Sequence, residues 1–255
     1  MSQPVPRIPI SERYSTLLTR LAEAGYEARS FDDFDAGSRH VILRHDIDAC
    51  PLRALRMARD EATMGWGGVY FVQLTSAFYN PFAPNVRAAL NTIAELGHEV
   101  GVHLEVLPNS TRESLERDAE EQARILSGLL GGRAVRWMSF HRPGANAAAL
   151  ADFIETPVFG GLNNAYARAY GEAAGLAYRS DSGGKWYATH PLDHPRVREG
   201  RALQLLTHPV WWYGDEPQNS VETARSFCDE HDTSFRSEVV EQFLQRAGRP
   251  DLSRR

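Results

Sequence analysis

A chain of 255 residues with 42% hydrophobic and 24% charged residues can enclose one large core and lies far from the composition of disorder, so a single folded domain over residues 1–255 is expected. The formal net charge of −5 supplies no basic field for a phosphate backbone or an anionic lipid surface, which excludes nucleic acid and membrane as first-choice partners. No stretch has the length of a membrane span, the first residues lack the apolar run of a secretory signal, and Cys50 and Cys228 have neither metal nor redox spacing, so a cytoplasmic protein with reduced thiols is expected.

In chain order, Tyr14, Leu17, Leu18 and Leu21 recur at helical spacing within residues 11–24, and Gly25 ends the helix. Residues 40–48 (HVILRHDID), between Gly37 and Pro51, read as a buried strand running out into a charged tip. Pro51 suits a first helical position, predicting a helix to about residue 64, and GGVYFVQL is a second strand rich in β-branched and aromatic residues. A helix over 84–96 stops at Gly97, and HEVGVHLE is the third strand. Ser110 and Glu113 suggest a capping box for a long helix with Leu115, Ala119, Gln122, Leu126 and Leu130 along one side, ending at Gly131 and Gly132. A fourth strand follows at AVRWMSFHR, then an irregular, glycine-containing stretch to about residue 200, a strand ALQLLTH, and helical sequence from about Ser220 to Arg246.

Repeated strand–helix units predict a parallel sheet with helices outside, as an open doubly wound sheet or a barrel. The polar residues gather at C-terminal strand ends: Asp46 and Asp48, His103 and Glu105, His141 and Arg142, and His208. In both architectures that edge carries the active site. Residues two apart on a strand share a face, so Asp46 and Asp48 project together while His45 and Ile47 project away. Two adjacent carboxylates resolve their repulsion when one holds a divalent cation and the other handles a proton. His103 shares a face with Glu105, whereas His98 faces the other side and is expected to be a structural histidine. Imidazole with carboxylate is the donor mix that suits zinc. His208 fits a general acid or a buried structural histidine, and His141 with Arg142 a metal ligand beside an orienting guanidinium or a loop-tying salt bridge.

These segments, in this order, resemble the polysaccharide deacetylase family, also called the NodB-homology domain or carbohydrate esterase family 4, over roughly residues 39–210. LRHDIDA is similar to its first motif, which implies Asp46 as catalytic base and Asp48 as metal ligand. GHEVGVHLE is similar to the second, implying His103 as a ligand, and HRPG to the Arg-Pro segment of the third. LLTH is similar to the last motif, implying His208 as catalytic acid, and SDSGGKW to the fourth, with Asp181 and Trp186 flanking the site. The resemblance implies a distorted (β/α) barrel of about seven parallel strands with helices outside, whose motif-bearing core is flanked by an N-terminal helix and a C-terminal helical segment. It also implies a divalent metal, zinc by its donors, and removal of an N-acetyl or related acyl group from an amino sugar or glycan precursor. The HDID and SFHRPG variants look most like deacetylase-like proteins found with surface-polysaccharide biosynthesis genes. Asp181 and Arg142 are then expected to orient the catalytic groups, and Trp186, Trp211, Trp212 and Tyr213 to offer faces to a sugar ring.

Leu107 departs from the pattern, because the family carries a second ligand histidine there. The third ligand is expected from His141, with Glu105 as the alternative. The same departure motivates a competing expectation, a carbohydrate-binding or scaffold protein that keeps the fold without turnover, and a metal hydrolase of a non-sugar amide is the third.

Overall fold

The computed structural model describes residues 6–213 and, further on, 221–223, 225–229, 232, 233 and 236. The elements run β1 (Arg7–Pro9), α1 (Tyr14–Glu23), β2 (Glu27–Ala28), β3 (His40–Ile47), α2 (Pro51–Thr63), β4 (Gly68–Val72), α3 (Pro84–Glu95), β5 (Glu99–Glu105), α4 (Arg112–Leu129) and β6 (Trp137–His141). Then follow α5 (Ala147–Leu150), β7 (Val158–Phe159), β8 (Leu162–Asn164), β9 (Ala177–Ser180), β10 (Lys185–Tyr187), α6 (Pro195–Arg198) and β11 (Leu203–Thr207).

Seven strands pair in parallel in the order β8-β6-β5-β4-β3-β11-β9, with β7 antiparallel on one edge and β2 beside β3. The sheet curls into a half-barrel with helices outside, the distorted barrel that the motifs implied. Three of its strands, β7, β8 and β9, come from the stretch between residues 143 and 200, whose short apolar runs and frequent glycines conceal any period. The described residues from 221 onward are helical, and the remainder of the expected C-terminal helix lies outside the described residues. Among the described residues no helix is long and apolar enough to cross a membrane.

Strand parity divides the core in two. Val41, Leu43, Ile47, Val72, Val102 and Leu104 face the helices, whereas Ile42, Val69, Phe71 and Trp137 fill the barrel interior. Gly101 allows that interior packing: a Cβ there would stand 2.7 Å from the Trp137 carbonyl and 2.8 Å from the Phe71 ring. Along the inner face the apolar plug gives way, toward the C-terminal strand ends, to Arg44, Asp46 and His103. The cap of α4 lies one residue later than Ser110 and Glu113 suggested. Thr111 accepts from the Ser114 backbone, and the Ser114 hydroxyl closes the box with the Thr111 N–H at 3.0 Å, since a serine reaches back as well as a glutamate does.

Candidate metal centre and acid dyad

Asp46, at the inner end of β3, is 2% exposed, and Arg44 two residues earlier grips it with both arms, Nε to Oδ1 at 3.1 Å and Nη2 to Oδ2 at 2.8 Å. The guanidinium is itself enclosed, 4.5 Å from the centroid of the Tyr166 ring. Burial alone would raise the Asp46 carboxyl; the Arg44 charge, with His103 and His208, outweighs burial and holds it far below the ordinary carboxylate range. Asp46 therefore rests as an anion at neutral pH.

His103 on β5 is paired across the sheet with Ser139 on β6. The Ser139 hydroxyl donates toward Asp46 Oδ1 at 3.4 Å, so it accepts from His103 Nδ1, 2.7 Å away. This arrangement puts the proton on Nδ1 and leaves Nε2 with a lone pair. His103 Nε2 stands 3.1 Å from Asp48 Oδ1, yet that buried oxygen accepts no hydrogen bond. Burial would raise the Asp48 carboxyl; His103 and His208, where those rings carry a proton toward it, overcome burial and lower the pKa, and a cation between Asp48 and a neutral His103 would act in the same sense. Two electron-pair donors thus face each other across 3.1 Å, near the roughly 3.3 Å edge of a tetrahedron built on zinc bonds of about 2.0–2.1 Å.

His141, at the end of β6, completes the cluster: Asp48, His103 and His141 bring one ligand atom each to within 4.8 Å of one another. Burial keeps His141 below the ordinary histidine value and hence neutral, as a ligand must be. Glu105 lies outside the cluster, 3.9 Å from His141 Nδ1, and Leu107 is 51% exposed on the loop beyond. An orphaned buried carboxylate oxygen, a bare imidazole nitrogen and a second neutral imidazole fit a divalent cation.

Opposite stands His208, just past β11. Asp181, at the end of β9, is fully buried and accepts from His208 Nδ1 at 2.6 Å, from the His208 backbone N–H at 2.9 Å, and from Trp212 Nε1 at 2.8 Å. Burial would lower the His208 pKa; the Asp181 carboxylate, aided by Asp48 and Asp46, overrides it and lifts the pKa to about 9. With Nδ1 engaged, the free proton is on Nε2, 3.9 Å from Asp48 Oδ2.

Trp186, Trp212 and Arg142 do not take the places expected of them. Trp186 is 1% exposed, packed against Trp212 and His190, and offers no face to a sugar; Trp212 is buried as well, its indole N–H spent on Asp181. Arg142 is exposed, in a left-handed conformation with φ 51°, and makes no ion pair among the described residues. The guanidinium on Asp46 belongs to Arg44. Parity marks it, since 44, 46 and 48 share a face as 139 shares one with 141, so Arg44 and Ser139 were both within reach of sequence reasoning.

No protein-family model and no curated protein matches the chain. Among solved structures it is similar to a CE4 family pseudoenzyme from Bacillus anthracis, at 12% identity and a TM-score of 0.43, over 78% of this chain and 63% of that one. It is also similar to a Streptococcus pyogenes deacetylase in complex with acetate, at 10% identity and a TM-score of 0.41, over 86% and 99% of the two chains. A family 4 carbohydrate esterase from Streptomyces lividans gives 11% identity and a TM-score of 0.38, over 74% and 88%. The chain thus spans just under two thirds of the pseudoenzyme's length. These likenesses assign no role to any residue.

Proposed function

We propose that this chain is a divergent polysaccharide deacetylase, a metal-dependent hydrolase that removes an acetyl or related acyl group from the nitrogen of an amino sugar. The observation that carries the proposal is the approach of His103 Nε2 to the unsatisfied Asp48 Oδ1, with His141 alongside. Asp48, His103 and His141 would hold a divalent cation, zinc by its donors, which when bound polarises an acyl oxygen and acidifies water.

The chain's own groups then divide the proton work. Asp46, kept ionised by Arg44 and 3.7 Å from His103 Nε2, accepts a proton from the attacking water. His208, still protonated at neutral pH because of Asp181, donates its Nε2 proton to the departing amine. Ser139 and Arg44 hold Asp46 and His103 in register while this happens. The two proton-handling groups come from adjacent strands, β3 and β11, so acid and base flank one acyl group.

Elemental analysis of the purified protein beside His103→Ala tests the metal: about one divalent ion per chain, lost in the variant, is expected. Acetate release from N-acetylated amino sugars, abolished by Asp46→Asn, tests the chemistry. The exposed Leu107, where the family has a histidine, favours a second reading, a carbohydrate-binding protein without turnover. Stoichiometric metal without acetate release from any such sugar would establish that reading instead.

A further inference from the structure

With Leu107 unable to ligate, the third donor must be made competent by other means, and Gln73 stands where that is done. It follows β4 directly and continues the inner-facing row that contains Phe71, one step beyond the Val72–Val102 pair that leads to His103. Its side chain is buried, 4% exposed, and its amide nitrogen lies 3.0 Å from His141 Nδ1. Among the described residues the His141 imidazole is the hydrogen-bond partner of this side chain, as the Tyr170 carbonyl is for the buried Gln204, so the desolvation of the Gln73 amide is offset at His141.

The amide has two nearly isosteric ends, and they dictate opposite tautomers. With the NH2 toward the ring, His141 Nδ1 accepts and the proton sits on Nε2. With Oε1 toward the ring, Nδ1 donates and Nε2 is a bare lone pair, as Ser139 already arranges for His103. From this geometry we infer that Gln73 is the positioning residue that turns His141 into the third metal ligand, its carbonyl receiving the Nδ1 proton when a cation binds. The inference rests on the metal-site reading above and adds the device that replaces the histidine missing at 107. Glu105, 3.9 Å from the same nitrogen and partly exposed, is the weaker candidate for that office.

The test compares zinc affinity, by chelator competition, in the full-length wild-type protein, Gln73→Leu and Gln73→Glu, with far-UV circular dichroism confirming that each is folded. Leucine removes the acceptor and is expected to weaken zinc binding about 10- to 100-fold. Glutamate can only accept from Nδ1, so it should bind zinc at least as tightly as wild type, which a mere packing role would not produce. In zinc-loaded wild type, imidazole nitrogen-15 spectra should show the His141 proton on Nδ1. Equal affinity in wild type and Gln73→Leu, glutamate weaker than leucine, or a proton on Nε2 would overturn the role of Gln73 and leave the metal site standing. A wild-type protein that binds no zinc would remove both.

Discussion

On the inner face of β3, Arg44 and Asp46 lie beside a cluster of ligand atoms; on its outer face His45 enters a second buried cluster of similar composition. There His45 Nε2 is 2.9 Å from Glu61 Oε1, Tyr14 donates to the same oxygen at 2.5 Å, and His98 Nδ1 approaches Glu61 Oε2 at 3.4 Å. Burial would raise the Glu61 carboxyl, and the two histidines with the Tyr14 hydrogen bond outweigh it and keep it ionised. The difference lies in access to solvent. His98 spends both, Nδ1 accepting from the Gly68 N–H at 3.1 Å and Nε2 donating to the Ala58 carbonyl at 2.9 Å, and His45 faces Thr207 Oγ1 with its Nδ1 at 2.7 Å. Tyr14 donates to Glu61 Oε1, while Glu61 Oε2 and His45 Nε2 lack a hydrogen-bond partner just as Asp48 Oδ1 does; but Glu61, on α2, is 0% exposed, so no ligand reaches them. On the inner face acceptors meet acceptors, and Asp48 is 28% exposed at the strand end. Residue types alone do not make a site; unspent lone pairs with access to solvent do.

The comparison is broken most easily by substitutions that should separate function from stability. His208→Ala is expected to cost about 10²- to 10⁴-fold in acetate release with zinc retained, the range of a lost general acid, read by initial rates and elemental analysis. Glu61→Ala should do the reverse. Removing the buried carboxylate strands Tyr14 and both histidines, and should cost about 3–5 kcal/mol in urea unfolding while zinc stoichiometry is unchanged. Metal loss in Glu61→Ala, from a chain that remains folded, would mean that the outer cluster holds the inner one in shape.

Much of this division was legible in the sequence. Five of the seven parallel strands, the polar C-terminal strand ends and the opposite facing of His45 and Asp46 follow from strand patterning and glycine or proline punctuation, whereas β8 and β9 show no period and only the family resemblance implied about seven. Arg44 and Ser139 obey the same parity, and the family resemblance drew attention to Arg142 instead. Glu61 could not be found this way, because a glutamate in a helix rich in arginine reads as solvated surface; only the docking of α2 on His45 reveals it as core. Trp186 misled for the converse reason, since an aromatic beside glycines reads as an exposed loop residue until β1 pairs with β10 and covers it.

The protonation states sharpen the contrast at moderate size. Because His208 is protonated up to about pH 9, the rate should hold through neutral pH and fall above 9, where the acid is lost. Asp181→Asn removes the charge that lifts it, so the alkaline limb should move from near 9 toward the ordinary 6.5. Linkage carries the same sign: a pKa raised in the folded state contributes stability fully present below 6.5 and lost as pH rises through 9. Glu61 acts at the other end, its stabilisation present above 4.5 and lost as pH falls through its lowered value. A rate profile flat to pH 10 would sink the assignment of His208 as acid.

The smallest effect is expected at the seam between the two regions. Thr207 ends β11 and His208 follows it, yet Thr207 turns outward to His45 Nδ1 while His208 turns inward to Asp181. Thr207→Val keeps the shape and removes the hydroxyl, leaving a buried imidazole nitrogen without a partner, which should cost about 1–3 kcal/mol in urea unfolding. Zinc affinity and the alkaline limb should not move, because the backbone that places His208 is held independently by the Asp181 carboxylate on its N–H, at 2.9 Å. If the limb shifts with Thr207→Val, then β3 and β11 transmit the outer network to the acid, and the two faces of the sheet form one machine instead of a support and a site.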